Sequence, residues 1–171
     1  ELSYGESQIV NIELNRETYP SKLNIAYTRG FVSSQAFVDY YESSGKINTL
    51  LPSKANNGLK FTPKHSKKNE ALAWMGFEAR EVILEALDKA VDDKSAEVRV
   101  IAYDLNEPEI VKRLEKLGKR LMVIIDNDGA HGKVGSAENQ AEKRLKVTAG
   151  KQNVKRQHMG KLQHNKMIVI N

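Results

Sequence analysis

The chain has 171 residues, 40% hydrophobic and 29% charged, with a net charge of +5 and no cysteine. That length suits one domain with a small extension and allows a proper core, and the missing cysteine excludes disulfides and thiolate metal sites. No run approaches the roughly 18 apolar residues of a membrane span and no signal peptide is visible, so a cytoplasmic protein without an integral membrane segment is expected, with an exported mature form left open because the chain begins at Glu1.

Residues 1–55 form a small α+β extension in this reading. Val10, Ile12 and Leu14 alternate with polar residues, and Leu23, Ile25 and Tyr27 repeat the pattern; both suit half-buried strands, with Tyr19-Pro20-Ser21 as a turn between them. Val32, Ala36, Phe37, Tyr40 and Tyr41 follow helical spacing, with Ser33 or Ser34 as N-cap and Gly45 as the stop. These aromatics are read as core.

Residues 47–51 and 59–61 are short strand candidates around the turn Asn56-Asn57-Gly58. Asn69 is placed as the cap of a long helix reaching Val91, in which Leu72, Met75, Ala79, Val82, Ile83, Ala86, Leu87 and Ala90 recur at three- and four-residue steps. Residues 98–103 form a β-rich run suited to a buried strand. Asn106 then caps a helix with Pro108 in its first turn, Ile110, Val111, Leu114 and Leu117 as its stripe, and Gly118 at its end. Residues 121–125 are a second buried strand. A strand, a helix and a strand with short joints predict a parallel pair in a βαβ unit. A helix is expected over 136–147, capped by Ser136, and a flexible loop over 148–163.

The charge is unevenly spread. From residue 143 onward there are eight Lys and Arg and no acid, whereas residues 1–142 carry 19 basic and 22 acidic groups. A basic stretch of this kind favours a phosphate-bearing partner, lipid or nucleic acid. The chain then closes on an apolar run, Met167 to Ile170, expected as a buried strand. His164 and Lys166 are two apart and leave the same face of an extended segment. An imidazole beside an ammonium suits a phosphate group: the ring can attack or protonate, and the ammonium supplies a point charge.

Other polar groups carry less. Asp126-Asn127-Asp128-Gly129 follows a strand and is read as an acidic turn; His131 is read as a loop histidine and His65, among lysines, as surface. His158 stands six residues before His164 and is a candidate phosphate contact. With four scattered histidines and no H-E-x-x-H, a zinc site is disfavoured. No metal and no cofactor are expected.

The spacing of His164 and Lys166 resembles the H-x-K-x4-D signature of the phospholipase D superfamily, with Asn171 at the Asp position. The order of elements before it is similar to one repeat of that family. Leu59-Lys60-Phe61-Thr62-Pro63 resembles its opening strand. Residues 98–105 (Val-Arg-Val-Ile-Ala-Tyr-Asp-Leu), 108–114 (Pro-Glu-Ile-Val-Lys-Arg-Leu) and 119–126 (Lys-Arg-Leu-Met-Val-Ile-Ile-Asp) resemble its second strand, helix and third strand. The resemblance covers about residues 59–171, and the domain is drawn at 56–171. It implies an α/β fold, a mixed or parallel sheet flanked by helices, and hydrolysis of a phosphodiester through a phosphohistidine. In that chemistry His164 attacks phosphorus or protonates the leaving oxygen, Lys166 neutralises the phosphate, and Asn171 orients. The family pairs two such motifs and this chain carries one, so the resemblance implies a partner, either a second half or a homodimer mate. The alternative expectation is a noncatalytic phosphate- or nucleic-acid-binding module, with the basic stretch 143–161 as its interface.

Overall fold

The computed structural model describes residues 16–19, 23–26, 34–50, 55–74, 77–158, 160 and 164–171. The frame that positions the site is built from two strands whose apolar residues alternate. In β3 (Val98–Ala102) the residues Val98, Val100 and Ala102 are buried, and in β4 (Leu121–Asp126) Leu121, Val123 and Ile125 are. The two pair in parallel, Val98 opposite Leu121, as the βαβ pattern predicts. Between them runs α4 (Pro108–Leu117), which buries Val111, Leu114 and Leu117 against the sheet; each such side chain is worth about 1.5–3 kcal/mol on leaving water. Its N-cap is Glu107, one residue past the expected Asn106, because the Glu107 carboxylate reaches the Ile110 N–H at 2.7 Å. Gly118 ends the helix at φ +58°, a conformation that suits a residue without Cβ.

After β4 the chain enters α5 (Ala137–Ala149), capped by the Ser136 hydroxyl, which accepts from the Asn139 N–H at 3.1 Å. The stretch after it is not the expected loop. The helix reaches Ala149, a 3₁₀ turn covers Lys151–Asn153, and β5 (Val154–Gln157) joins β4 in parallel. Only Val154 of β5 is buried, so its sequence carries almost no apolar alternation. The last strand, β6 (Lys166–Ile170), lies antiparallel on the other side of β3. The result is a mixed α/β fold with a four-stranded sheet in the order β5-β4-β3-β6. One face of the sheet packs on Leu87 and Ala90 of α3 (Phe77–Asp92), on α4, and on Ala141 and Leu145 of α5. Contrary to the buried strand expected at 167–170, Met167, Val169 and Ile170 are exposed, as β6 lies at the edge of the sheet, and Met122 is exposed as well. The guanidinium of Arg120 closes the end of α3: Nη1 donates to the carbonyls of Ala90, Asp93 and Ala96 at 2.7, 2.7 and 2.9 Å, and Nη2 to that of Val91 at 3.1 Å.

Three expectations are corrected upstream. The strands predicted at 47–51 and 59–61 are 3₁₀ turns, Ile47–Thr49 and Ala55–Lys60, so the proposed opening strand of a repeat is absent from the described residues. The sequence around Asn56-Asn57-Gly58 closes on itself, with the Phe61 N–H donating to the Gly58 carbonyl at 3.2 Å. The long helix expected over 69–91 is described in two stretches, α2 (Lys68–Trp74) and α3; residues 75–76 lie outside the described residues. His65 is buried, at 3% exposure. Its Nδ1 accepts from the Lys67 N–H at 3.1 Å, so the proton sits on Nε2, which donates to the Tyr41 carbonyl at 3.2 Å. A Cβ on Gly45 would stand 2.6 Å from that Nε2, so the glycine is needed for close approach rather than for ending a helix alone.

At the N-terminal side, β1 (Arg16–Tyr19) and β2 (Leu23–Ala26) form an antiparallel pair. The strand expected at 10–14 and the turn at 19–21, apart from Tyr19, fall outside the described residues. Helix α1 (Ser34–Glu42) places Phe37 and Tyr41 in a second small core with Leu50 and Ala71, so these two aromatics are packing residues, whereas Tyr40 is 45% exposed and not the core residue expected. Among the described residues no helix is long and apolar enough to cross a membrane.

Candidate functional site

Sheet topology decides where the polar residues meet. β3 and β4 are parallel, so both end at the same edge, the position where open α/β sheets bind ligands. β6 runs the other way and therefore begins there. Lys166 lies opposite Ala102, the last residue of β3, and the Tyr103 N–H donates to the Asn165 carbonyl at 3.2 Å. His164 and Lys166 thus arrive beside Tyr103 and Asp104, and both are exposed.

The Tyr103 ring is the common surface. His164 stacks on it, with centroids 4.3 Å apart and planes at 27°. His131 meets it edge-on at 4.6 Å and 65°. The Lys166 ammonium lies 4.8 Å from its centroid and donates to the His164 carbonyl at 3.2 Å. The two motif residues therefore share one corner of the sheet, with an imidazole in reach of solvent and a cation beside it.

His131 is more than a loop histidine. Its Nδ1 lies 3.1 Å from Glu138 Oε1 and 3.3 Å from Asp104 Oδ1. Glu138 stands in the first turn of α5 with its side chain only 5% exposed, and Asp104 follows β3 in the left-handed region, at φ +58°. The loop bearing His131 is fastened from behind. Its carbonyl accepts from the Ser136 hydroxyl and from Arg156 Nη2, each at 2.7 Å, and the same Arg156 nitrogen donates to the Asn127 side chain at 2.8 Å. The corner is rich in carboxylates. Burial, and after it the charges of Asp104, Asp126, Asp128 and Glu138, push the Tyr103 phenol above its ordinary value.

Two expected contributors lie elsewhere. Asn171 sits at the opposite end of β6, where its backbone N–H and carbonyl exchange hydrogen bonds with Glu97, both at 3.0 Å. Seven residues of extended chain span about 23 Å, so Asn171 is not brought to His164. His158, after β5, is exposed and pairs with Asp128 (Nδ1 to Oδ1, 3.3 Å) rather than with the His164–Lys166 pair. The basic stretch is also partly neutralised. Arg144 grips Glu115 through Nε and Nη2 at 2.7 and 2.6 Å, and Lys146 and Arg156 both pair with Glu142.

Comparison with known proteins returns no match: no family model, no curated protein and no solved structure matches the chain. Tyr103, Asp104, His131 and Glu138 were missed as a group because the four are separated by up to 35 positions in sequence and form no motif. The one available pointer was positional, since Tyr103 ends, and Asp104 directly follows, a strand predicted to be parallel.

Proposed function

We propose that the chain is one half of a phospholipase D-type phosphodiester hydrolase, with His164 as the group that reacts at phosphorus and Lys166 as the phosphate-neutralising cation. The observation that carries this reading is the delivery of both side chains, exposed and in contact with the same Tyr103 ring, to the edge where the parallel strands end. Attack by the imidazole forms a P–N bond as the P–O bond to the leaving group breaks. The ammonium offsets charge that grows on the nonbridging oxygens. A second histidine, from another half or a second copy, protonates the leaving oxygen, a contribution of about 10²–10⁴ in rate. The lipid and nucleic-acid substrates remain two arms of one test. The chain, with its partner half or as a dimer, is offered a phospholipid and a single-stranded DNA phosphodiester, each in chelator. Cleavage of one, lost in His164→Ala and in Lys166→Ala, supports the reading. No cleavage, or cleavage that survives His164→Ala, refutes it.

The position of Asn171 at the far end of β6, away from His164, favours a second reading, a noncatalytic phosphate-binding module in which Lys166 holds the ligand and His164 only stacks. In that case His164→Ala leaves ligand affinity intact and the wild-type chain shows no turnover.

A further inference from the structure

Three segments distant in sequence each bring one ligand-type side chain to the same point beside the Tyr103 corner. Asp104 follows β3, His131 lies in the loop after β4, and Glu138 opens α5. Their ligand atoms all lie within 4.8 Å of one another. Nitrogen and oxygen ligands held about 2.1 Å from one ion at angles between 90° and 110° stand about 3.0–3.4 Å apart. His131 Nδ1 is 3.1 Å from Glu138 Oε1 and 3.3 Å from Asp104 Oδ1, inside that interval on both sides.

We propose that Asp104, His131 and Glu138 bind a divalent transition-metal ion of the Zn²⁺ class. The proposal goes beyond the phosphodiesterase reading and does not depend on it. One imidazole nitrogen with two carboxylate oxygens is a borderline donor set; it suits zinc and its neighbours, whereas magnesium prefers oxygen ligands alone. Charge points the same way. The Glu138 side chain is 5% exposed and its ion-pair partner among the described residues is His131. Burying a carboxylate is costly unless it is paired, and a second carboxylate, Asp104, shares the same nitrogen. A dication balances both charges. A proton on the imidazole balances one.

The surroundings are organised for such an ion. His131 is held by its ring contact with Tyr103 and through its backbone carbonyl by Ser136 and Arg156, so its Nδ1 is aimed before any ion arrives. A cleft of about 320 Å³, lined by all three residues together with Asn106, Lys133 and Ser136, opens onto the cluster and leaves room for water as a fourth ligand. Bound there, the ion ties the loops after β3 and β4 to the start of α5. Those loops carry Tyr103, so the ion stiffens the platform on which His164 stacks.

The test is direct binding. The full chain, stripped with chelator, is titrated with Zn²⁺ in a calorimeter and with Co²⁺ as a coloured stand-in read by visible absorption. One equivalent is expected to bind and to raise Tm. Glu138→Gln and Asp104→Asn are each expected to weaken binding by ~100-fold or more, since loss of even an outer-shell partner costs about 10–100-fold. Asp104 is partly exposed, so Asp104→Asn keeps the test open if Glu138→Gln fails to fold. His164→Ala, outside the cluster, is expected to bind as the wild type does. The proposal is overturned if no saturable one-to-one binding occurs, if both variants keep wild-type affinity, or if His164→Ala abolishes binding and so places the ion at the phosphate site.

Discussion

Replacing Tyr103 by alanine removes the ring on which His131, His164 and Lys166 converge. Two ring–ring contacts are worth about 0.5–1.5 kcal/mol each, and a cation over a partly exposed ring about 0.5–1 kcal/mol. Tyr103 is half-buried, so the lower part of those ranges applies and Tyr103→Ala should cost about 1.5–2.5 kcal/mol. For a chain of this size that corresponds to roughly 3–10 °C in Tm and, at a slope of about 2 kcal/mol/M, to a urea midpoint lower by about 1 M. Function should suffer more than stability, because an imidazole released from its stack loses its aim, and a misplacement of about 1 Å can cost 10²-fold in rate. Tyr103→Phe keeps the ring and should stay near wild type in both respects. Urea denaturation followed by circular dichroism, run beside a phosphodiester cleavage assay, measures both effects. A Tyr103→Ala protein that denatures at the wild-type midpoint and retains cleavage would refute the role assigned to the ring.

Two further outcomes test the scaffold. Arg120→Ala should destabilise the chain by about 2–4 kcal/mol, because four carbonyls around the end of α3 lose charge-assisted donors worth about 1.5–3 kcal/mol each while water regains part of that; hydrogen exchange should show the end of α3 opening first. Alkaline stability should follow Tyr41, whose phenol is pushed from 10.0 to about 12, by burial first and then by the charge and hydrogen bond of Glu70. Below pH 10 the folded and unfolded states both hold the proton. Between pH 10 and 12 the unfolded state loses it and the folded state keeps it, so stability falls as pH rises, by about 2–3 kcal/mol in all. Denaturant midpoints measured across that window should show the fall in wild type, and Tyr41→Phe should lack this part of it.

Elements that carry their own period were legible in the sequence. The β-rich run 98–103, the stripe Val111–Leu114–Leu117 and the Gly118 stop each point to one structure, and together they predict a parallel pair that is present. β5 was not legible, because Val154 is its single buried residue and pairing with β4, a tertiary effect, is what makes it a strand. The turn at Asn56-Asn57-Gly58 suits a hairpin as well as a 3₁₀ segment, and with no neighbouring strand among the described residues to pair with, the local hydrogen bond wins. In the site, the i, i+2 relation of His164 and Lys166 is local and could be read directly. The Asp104–His131–Glu138 cluster is made by chain topology: three side chains meet only because β3 and β4 end at the same edge and α5 starts there. For the same reason Asn171, close to His164 in sequence, is remote from it along β6.

The reactivity of His164 is tested most directly with a phosphodiester bearing a p-nitrophenyl leaving group. That group departs without protonation, so the missing second acid does not limit the first step. His164 should release about one equivalent of p-nitrophenolate in a burst and carry an acid-labile phosphoryl adduct, located on His164 by mass spectrometry and absent in His164→Ala. An unmodified His164 under conditions where p-nitrophenolate is released, or an adduct on any other residue, would contradict the assignment.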